Sequence, residues 1–462
     1  MNKRLQLFKY LAADYAAAFF TWVAFYVFRL ININLNPEGS DVWSFYTTDA
    51  FYLGLLLVPF FWLFVHYLSG YYVQLFRKSR LSEFFTTLYS SVIGSLILFF
   101  IIVIDDLQTL PETNYKYFYQ AFLTLVAIQF LSTYLLRFII TQRNTSRIHH
   151  RKLSFNTLII GTGKNAQMLA EKLEKMRLSL GNKIVGFVAL EDIGDLENLV
   201  KKHSVQEVIF CPEKEDNNLM FRSLGMLNKY DIEVKYLPNI DKLVTGKWQV
   251  STIYAVPLVS ISGDPMPDWQ KSFKRVIDII TSFSALVLLS PFFALLAVLI
   301  KKDSKGNVFF RQERLGKHGK PFQICKFRTM RSDAESDGVP RLSSTTDRRV
   351  TRLGRFLRKY RIDELPQFWN VLKGEMSLVG PRPERQYFIK QIVKRAPYYY
   401  LVQRVQPGIT SWGMVKYGYA DSVGKMIDRL EYEIIYVENK SLLIDLKILI
   451  YTVKTIVTGK GI

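Results

Sequence analysis

Cysteine is nearly absent: Cys211 and Cys325 are the only two in 462 residues. Two thiols build no disulfide framework, and so sparse a content suits a reducing compartment. Acidic side chains are short as well, 40 Asp and Glu against 61 Lys and Arg, leaving a formal net charge of +21. No zinc-finger spacing, RNA-recognition signature or basic zipper accompanies that charge, so nucleic acid is not the expected partner. No D-x-D motif is present, which weighs against a metal-dependent glycosyltransferase acting on nucleotide-diphospho-sugars, and no internal repeat is evident.

What is there instead is grease. Hydrophobic residues make up 49% of the chain, an unusual companion to so large an excess of one charge. Residues 271–462 hold 35 Lys and Arg against 17 Asp and Glu, so 35 − 17 = +18 of the total lies there. A basic surface beside apolar segments favours anionic lipid headgroups and phosphates. The length suggests two to four structural units.

Four apolar stretches of membrane-spanning length occupy roughly residues 8–30, 51–69, 84–104 and 117–140. Lys3 and Arg4 precede the first, Arg77, Lys78 and Arg80 follow the second, and Arg143, Arg147, Arg151 and Lys152 follow the fourth. The loops between contain Glu38, Asp41 and Asp49, then Asp105, Asp106 and Glu112. That alternation predicts four spans with both ends on the cytoplasmic side. Ala16–Ala18 precede the greasy core, where no signal peptidase site belongs, so the first span is expected to remain as an anchor. The competing reading is a soluble bundle of buried helices. Residues 1–150 are therefore expected to form a transmembrane four-helix bundle.

Residues 151–262 read as an α/β domain. A β-branched run, Asn156–Gly161, ends in Gly161-Thr162-Gly163-Lys164-Asn165-Ala166 and an amphipathic helix to about Leu180. Further strand candidates at 183–190, 207–211 and 232–237 alternate with helical patterns, which implies a parallel sheet. The glycine pattern matches a dinucleotide fingerprint, yet no acidic residue follows clearly at the ribose-binding position. A tight turn with close helix–strand packing is therefore the expected role of these glycines, with a cofactor site the alternative. Gly263, Pro265 and Pro267 mark a linker at 260–269.

The apolar segment from Val276 to Ile300 has basic flanks on both sides, Lys271, Lys274 and Arg275 before it, Lys301, Lys302 and Lys305 after. A full crossing would put one basic cluster on the wrong face. Pro291 lacks a backbone N–H and clashes with the preceding turn, and Ser290 offers a hydroxyl to the freed backbone. The expectation is a hairpin over about 273–300 that enters and leaves on one side, with a kinked ordinary span as the alternative. Near the C-terminus, Ser441–Lys454 reads as a short, largely apolar helix lying along the interface or buried in a core.

Asp363-Glu364-Leu365-Pro366-Gln367 lies inside a strongly basic segment and predicts a helix to Gly374 with Asp363 as its N-cap. Free N–H groups there favour phosphate, and Mg²⁺ would neutralise remaining charge. Arg352, Arg355, Arg358 and Arg361 recur every three residues, a spacing that drifts slowly round one helix face. A carboxylate among arginines and a metal can attack phosphorus and split one hard transfer into two. A helix cap with solvated ion pairs is the blander reading of an Asp-Glu pair.

The surrounding elements run in order. They are Phe310–Gly316, Lys326-Phe327-Arg328-Thr329-Met330, Asp347–Thr351, the Asp363–Gln367 core, Gly380-Pro381-Arg382-Pro383-Glu384 and Gln406–Trp412. They resemble the bacterial sugar transferases, the polyprenyl-phosphate glycosyl-1-phosphate transferases, over most of residues 270–462. The resemblance implies a catalytic domain, rich in α-helix, with a re-entrant membrane helix broken at Ser290-Pro291, and a Rossmann-like α/β middle domain. It implies Asp363 as nucleophile, with Glu364 its partner in metal binding and positioning. Arg358 is implied as a phosphate contact, Arg382 and Pro383 as the turn that holds the nucleotide sugar, and Lys326 and Arg328 as further phosphate contacts. Thr410-Ser411-Trp412 departs slightly from the family's usual residues, which bears on sugar choice.

The implied reaction moves hexose 1-phosphate from a UDP-sugar to undecaprenyl phosphate with Mg²⁺, releasing UMP and beginning an exopolysaccharide, capsule or O-antigen repeat unit. The implied setting is a bacterial inner membrane, with the catalytic domain cytoplasmic. The large form of the family is compatible with a homodimer. A reading from another class is a membrane-anchored nucleotide sensor or scaffold using the Gly161–Ala166 turn.

Overall fold

The structure is a computed structural model. It describes residues 3–33, 49–106, 115–213, 216–230, 232–238, 258–261, 264–331, 334, 341–342, 347–418 and 420–458. The expected acidic-loop residues Glu38, Asp41 and Glu112, and residues 262–263 of the expected linker, lie outside these. The chain divides into two compact units: residues 1–153 with 178–180 and 267–273, and residues 154–177, 181–266 and 274–462.

The first unit is built on helices α1 (Lys3–Ile33), α2 (Asp49–Leu68), α3 (Arg80–Asp106) and α4 (Tyr115–His149). Each contains a stretch long and apolar enough to cross a membrane, at Lys3–Arg29, Phe51–Leu68, Arg80–Ile101 and Phe118–His149. These coincide with the four expected spans, and the chain is a membrane protein. Large apolar side chains such as Phe8, Phe20, Phe60, Phe100 and Leu123 point outward, while Trp62, Phe25 and Leu125 fill the interior. Gly54 and Gly94 admit the indoles, since a Cβ on either would lie within 2.5 Å of Trp22 or Trp62 ring atoms. Inside this packing Arg137 forks onto Asp14, Nε to Oδ1 and Nη2 to Oδ2, both at 2.7 Å, with neither side chain exposed.

In the second unit, strands β1 (Phe155–Ile160), β2 (Asn182–Val188), β3 (Glu207–Phe210), β4 (Glu233–Tyr236) and β5 (Val259–Ser260) form one sheet in the order 2-1-3-4-5. The first four pair in parallel and β5 closes an antiparallel edge. Helices α5 (Lys164–Lys175), α6 (Leu196–Lys202) and α7 (Asn217–Leu227) supply the crossovers. Leu158, Ile160, Val208, Phe210 and Val234 form a core that also receives Tyr400 from the C-terminal part of the chain.

There, helices α8 (Asp268–Leu288) and α9 (Ser290–Asp303) meet at a 60° bend. Pro291 falls in the first turn of α9, where a missing N–H is tolerated. Its absent donor would have faced Val287 O, and the Ser290 hydroxyl takes that carbonyl at 2.8 Å. Next come the antiparallel hairpin β6 (Phe309–Leu315) and β7 (Pro321–Phe327), helix α10 (Arg352–Lys359), a 3₁₀ helix at Ile362–Gln367 and helix α11 (Phe368–Lys373). Strands β8 (Ser377–Val379) and β9 (Gly408–Thr410) pair in parallel and enclose helix α12 (Gln386–Arg395) in sequence. Helices α13 (Trp412–Lys416), α14 (Val423–Asn439) and α15 (Leu442–Val457) finish the unit. Helix α15 buries Asp445 and Ile448 on one face and exposes Leu443, Leu446, Ile450, Val453 and Val457 on the other.

Candidate active site

The Asp363 segment is not the single helix expected. Arg361 occupies the cap position, in left-handed backbone at φ 54°, and Asp363 stands two residues further on within a 3₁₀ turn. The cause is local. The Glu364 N–H bonds Arg361 O at 3.2 Å, the short i→i+3 closure that sets up a 3₁₀ rather than an α turn. Left-handed backbone costs a non-glycine residue about 1–2 kcal/mol. The Arg361 guanidinium offsets this by returning to Glu364 Oε2 at 3.2 Å. Gly374, with φ 83°, stops α11 as the sequence requires.

The segment is fastened from two sides. Asn370 accepts the Cys325 N–H at 3.0 Å and donates to Gln323 O at 2.8 Å, which fixes α11 against β7. Arg275 donates to Val371 O and Leu372 O at 2.7 and 3.0 Å, satisfying carbonyls at the end of α11.

The result is an asymmetric pair of buried carboxylates. Glu364 Oε1 receives Lys326 Nζ at 2.6 Å and has Arg382 Nη1 at 3.5 Å, while Oε2 takes Arg361. Among the described residues, none donates a hydrogen bond to the Asp363 carboxylate. Burial pushes the Asp363 carboxyl up to about 6; the Lys326 charge opposes this and the Glu364 charge adds to it. Burial works on Glu364 in the same direction, yet Lys326, Arg382 and Arg361 together outweigh it and hold that carboxyl well below its usual range. Burial lowers Lys326, with Glu364 pulling back. Glu364 is thus the anchored anion and Asp363 the open carboxylate.

Among the described residues there is no group of three or more metal-ligating side chains. A divalent ion here would draw most of its ligands from phosphate oxygens and water, the ordinary arrangement for Mg²⁺ bound by one or two carboxylates. The unengaged Asp363 carboxylate fits that demand, and Glu364 fits it only by sharing an oxygen with its cations.

The other expected residues divide. Arg358 donates from Nε to Thr329 Oγ1 at 2.9 Å, and its charge acts on Asp363. Gly354 makes this possible, because a Cβ there would lie 2.1 Å from Thr329 O and hold α10 away. Arg352 and Arg355 are exposed. Pro383 is buried, and its carbonyl accepts Arg314 Nη1 at 3.2 Å. Arg328 reaches neither carboxylate: its Nη2 donates to Ile300 O and Ser304 O at 3.3 and 2.6 Å, capping α9. Arg361, noticed only as part of the arginine run, proves to be a direct partner of Glu364. Its i,i+3 spacing from Glu364, which Arg355 lacks, is the signal that could have found it.

Glu364→Gln is expected to destabilise the fold by about 3 kcal/mol, because it strands buried cations. Denaturant unfolding would register this as a lower midpoint at unchanged slope.

The Gly161–Ala166 turn has a different occupant from the one its pattern suggests. A Cβ on Gly161 would lie 2.1 Å from Cys211 O, and one on Gly163 would lie 1.8 Å from Glu213 Oε1. The Lys164 N–H already donates to Glu213 Oε1 at 2.8 Å. The glycines make room for strand packing and for an internal carboxylate at the start of α5, where a pyrophosphate would otherwise sit. Calorimetric titration with NAD is expected to give no saturable heat; tight binding would restore the dinucleotide reading.

Residues 269–459 match the family model described as "Bacterial sugar transferase". The chain is 40% identical over 230 residues to the UDP-N-acetylgalactosamine-undecaprenyl-phosphate N-acetylgalactosaminephosphotransferase of Aeromonas hydrophila, covering 50% of this chain and 53% of that protein. It is 36% identical over 263 residues to the UDP-glucose:undecaprenyl-phosphate glucose-1-phosphate transferase of Klebsiella pneumoniae, covering 56% of each. It is 39% identical to the exopolysaccharide production protein PSS of Rhizobium leguminosarum bv. phaseoli over 198 residues, 41% of this chain and 97% of that one. The match therefore spans little more than half the length of the first two relatives.

Proposed function

The chain belongs to the bacterial sugar transferase family, and from that premise we propose that it transfers a hexose 1-phosphate from a UDP-sugar to undecaprenyl phosphate. The observation that carries this reading is the asymmetry of the carboxylate pair: Glu364 is held by three cations while, among the described residues, none donates a hydrogen bond to Asp363.

In the first step an Asp363 carboxylate oxygen attacks the β-phosphorus of the nucleotide sugar. The bond from that phosphorus to the bridging oxygen breaks, and UMP departs with the electron pair. In the second step an oxygen of the lipid phosphate attacks the same phosphorus, the acyl-phosphate bond breaks, and the Asp363 carboxylate is restored. Lys326, Arg361 and Arg382 hold Glu364 as an anion, and Arg358 and Arg382 supply guanidinium groups for the phosphoryl oxygens. Mg²⁺, held by Asp363 and Glu364 with substrate phosphates, would neutralise charge on the transferring group.

The membrane setting follows the same reading. The bend at Ser290-Pro291 and the basic flanks of α8 and α9 suit a re-entrant hairpin whose two ends return to the cytoplasmic face of an inner membrane. The exposed apolar stripe of α15 suits the lipid boundary. The product would begin an exopolysaccharide, capsule or O-antigen repeat unit.

The test is UMP release by the purified protein with Mg²⁺ and undecaprenyl phosphate across a panel of UDP-sugars that includes glucose, galactose and N-acetylgalactosamine donors. Release with one donor, and a matching lipid-linked sugar phosphate, is expected. Silence across the panel from folded protein would remove the reading.

A further inference from the structure

The turn that carries Arg382 is held by residues far along the chain. Its backbone leans on β9: the Gly380 N–H donates to Thr410 O at 3.1 Å and the Gly408 N–H to Pro381 O at 3.0 Å. Its far end is fixed by Glu384, a buried carboxylate. Glu384 Oε2 lies 3.3 Å from Arg314 Nη1 on the β-hairpin, and its Oε1 lies 2.5 Å from Arg429 Nη2 on α14. The Leu315 N–H adds a backbone bond to Glu384 O at 3.1 Å.

A second connection reaches Arg382 from the same helix. Glu433, one turn beyond Arg429, accepts the Ser411 hydroxyl at 2.6 Å, and that hydroxyl caps α13 by accepting the Met414 N–H at 3.0 Å. Met414 Sδ in turn accepts Arg382 Nη1 at 3.0 Å. The fit is tight, because a Cβ on Gly413 would lie 2.7 Å from both Arg429 Cγ and Glu433 Oε1. Arg429 and Glu433 are each at most 5% exposed. They therefore have no solvent to satisfy them if these partners move.

We propose that Arg429 and Glu433 are positioning residues: through Glu384 on one side and Ser411 and Met414 on the other, they fix the Arg382 guanidinium beside Glu364. This rests on the transferase reading, in which Arg382 meets the phosphates of the nucleotide sugar. Neither residue reaches substrate. Their effect passes wholly through Arg382, so the two sites are energetically coupled.

The experiment is a double-mutant cycle on the full-length protein, reading UMP release. Arg429→Lys keeps the charge but loses the planar fork that meets Glu384. It is expected to raise KM for the donor roughly tenfold with a smaller change in kcat, an effect of about 1.4 kcal/mol. In an Arg382→Gln background the same substitution is expected to change nothing further. Equal losses in both backgrounds, or no loss in either, would overturn the proposal. If Arg429→Lys does not fold, Glu433→Gln replaces it in the same cycle, with the same two outcomes. A wild-type protein that releases UMP while the cycle is additive loses only this inference; a silent wild type loses the transferase reading and this one with it.

Discussion

Asp363→Asn is expected to lower kcat/KM by at least about 10³-fold while leaving the protein folded and as stable as before. The substitution preserves shape and removes the one carboxylate at the site that the cations leave unbonded. Stability should hold for two reasons. No described residue donates a hydrogen bond to Asp363, so none is broken. Burial already disfavours its charged form, so a neutral amide takes nothing from the fold. A rapid-quench measurement with donor radiolabelled in the β-phosphate separates chemistry from binding. Wild-type protein is expected to acquire label without undecaprenyl phosphate and lose it when the lipid is added; Asp363→Asn is expected to acquire none. Turnover near the wild-type level would end the assignment of Asp363 as nucleophile. Label in the variant would show that another side chain carries the phosphosugar.

The contrast with Glu364 shows what could be read in advance and what could not. An Asp-Glu pair alone reads as a helix cap with ion pairs; the ordered motifs around it are what mark the site. Which of the two is open depends on Lys326, Arg361 and Arg382, which converge from a strand, a left-handed cap and a loop. No spacing rule brings Lys326, 38 positions away, and Arg382, 18 positions away, to one carboxylate, and left-handed backbone at an arginine has no sequence signature. The same holds in the first unit. The spans are legible because hydrophobic length is a local property, whereas the Asp14–Arg137 fork joins residues 123 positions apart. Glu213 makes the point in reverse. The glycine fingerprint is a local pattern compatible with a tight packed turn or a nucleotide site, and the carboxylate that fills the turn arrives from beyond the end of another strand. Arg328 is expected as a phosphate contact, and the helix cap its Nη2 supplies to Ser304 O is a second use that its motif does not announce. Local periodicity and breakers survive in one dimension; the partner of a charged group does not.

The Ser290-Pro291 break is local in just this sense, and removing it is expected to have the second large effect. Helices α8 and α9 contain 21 and 14 residues. Fused, they would extend roughly 50 Å at 1.5 Å per residue, well beyond the ~30 Å of bilayer hydrocarbon. At the break the backbone is already close to a continuous helix. Leu289 already has helical backbone, its N–H bonds Ala285 O at 2.9 Å, and the Phe293 N–H bonds Leu289 O at 2.8 Å. Proline inside a helix costs about 3 kcal/mol. Replacing it, together with the hydroxyl that occupies Val287 O, should favour the straight form by roughly 10²-fold. The double variant Ser290→Ala, Pro291→Leu is therefore expected to abolish transfer while still inserting into membranes. A probe cysteine at the exposed hairpin position Lys317 would report the topology in sealed inverted vesicles treated with an impermeant thiol reagent. With the native Ser-Pro pair, Lys317→Cys is expected to label from the cytoplasmic face. In the double variant the label should be lost until the vesicles are opened. Cytoplasmic labelling and transfer that both survive would mean that the bend is held by packing rather than by Pro291. Labelling only from the opposite face with the native Ser-Pro pair would replace the re-entrant hairpin with a kinked span.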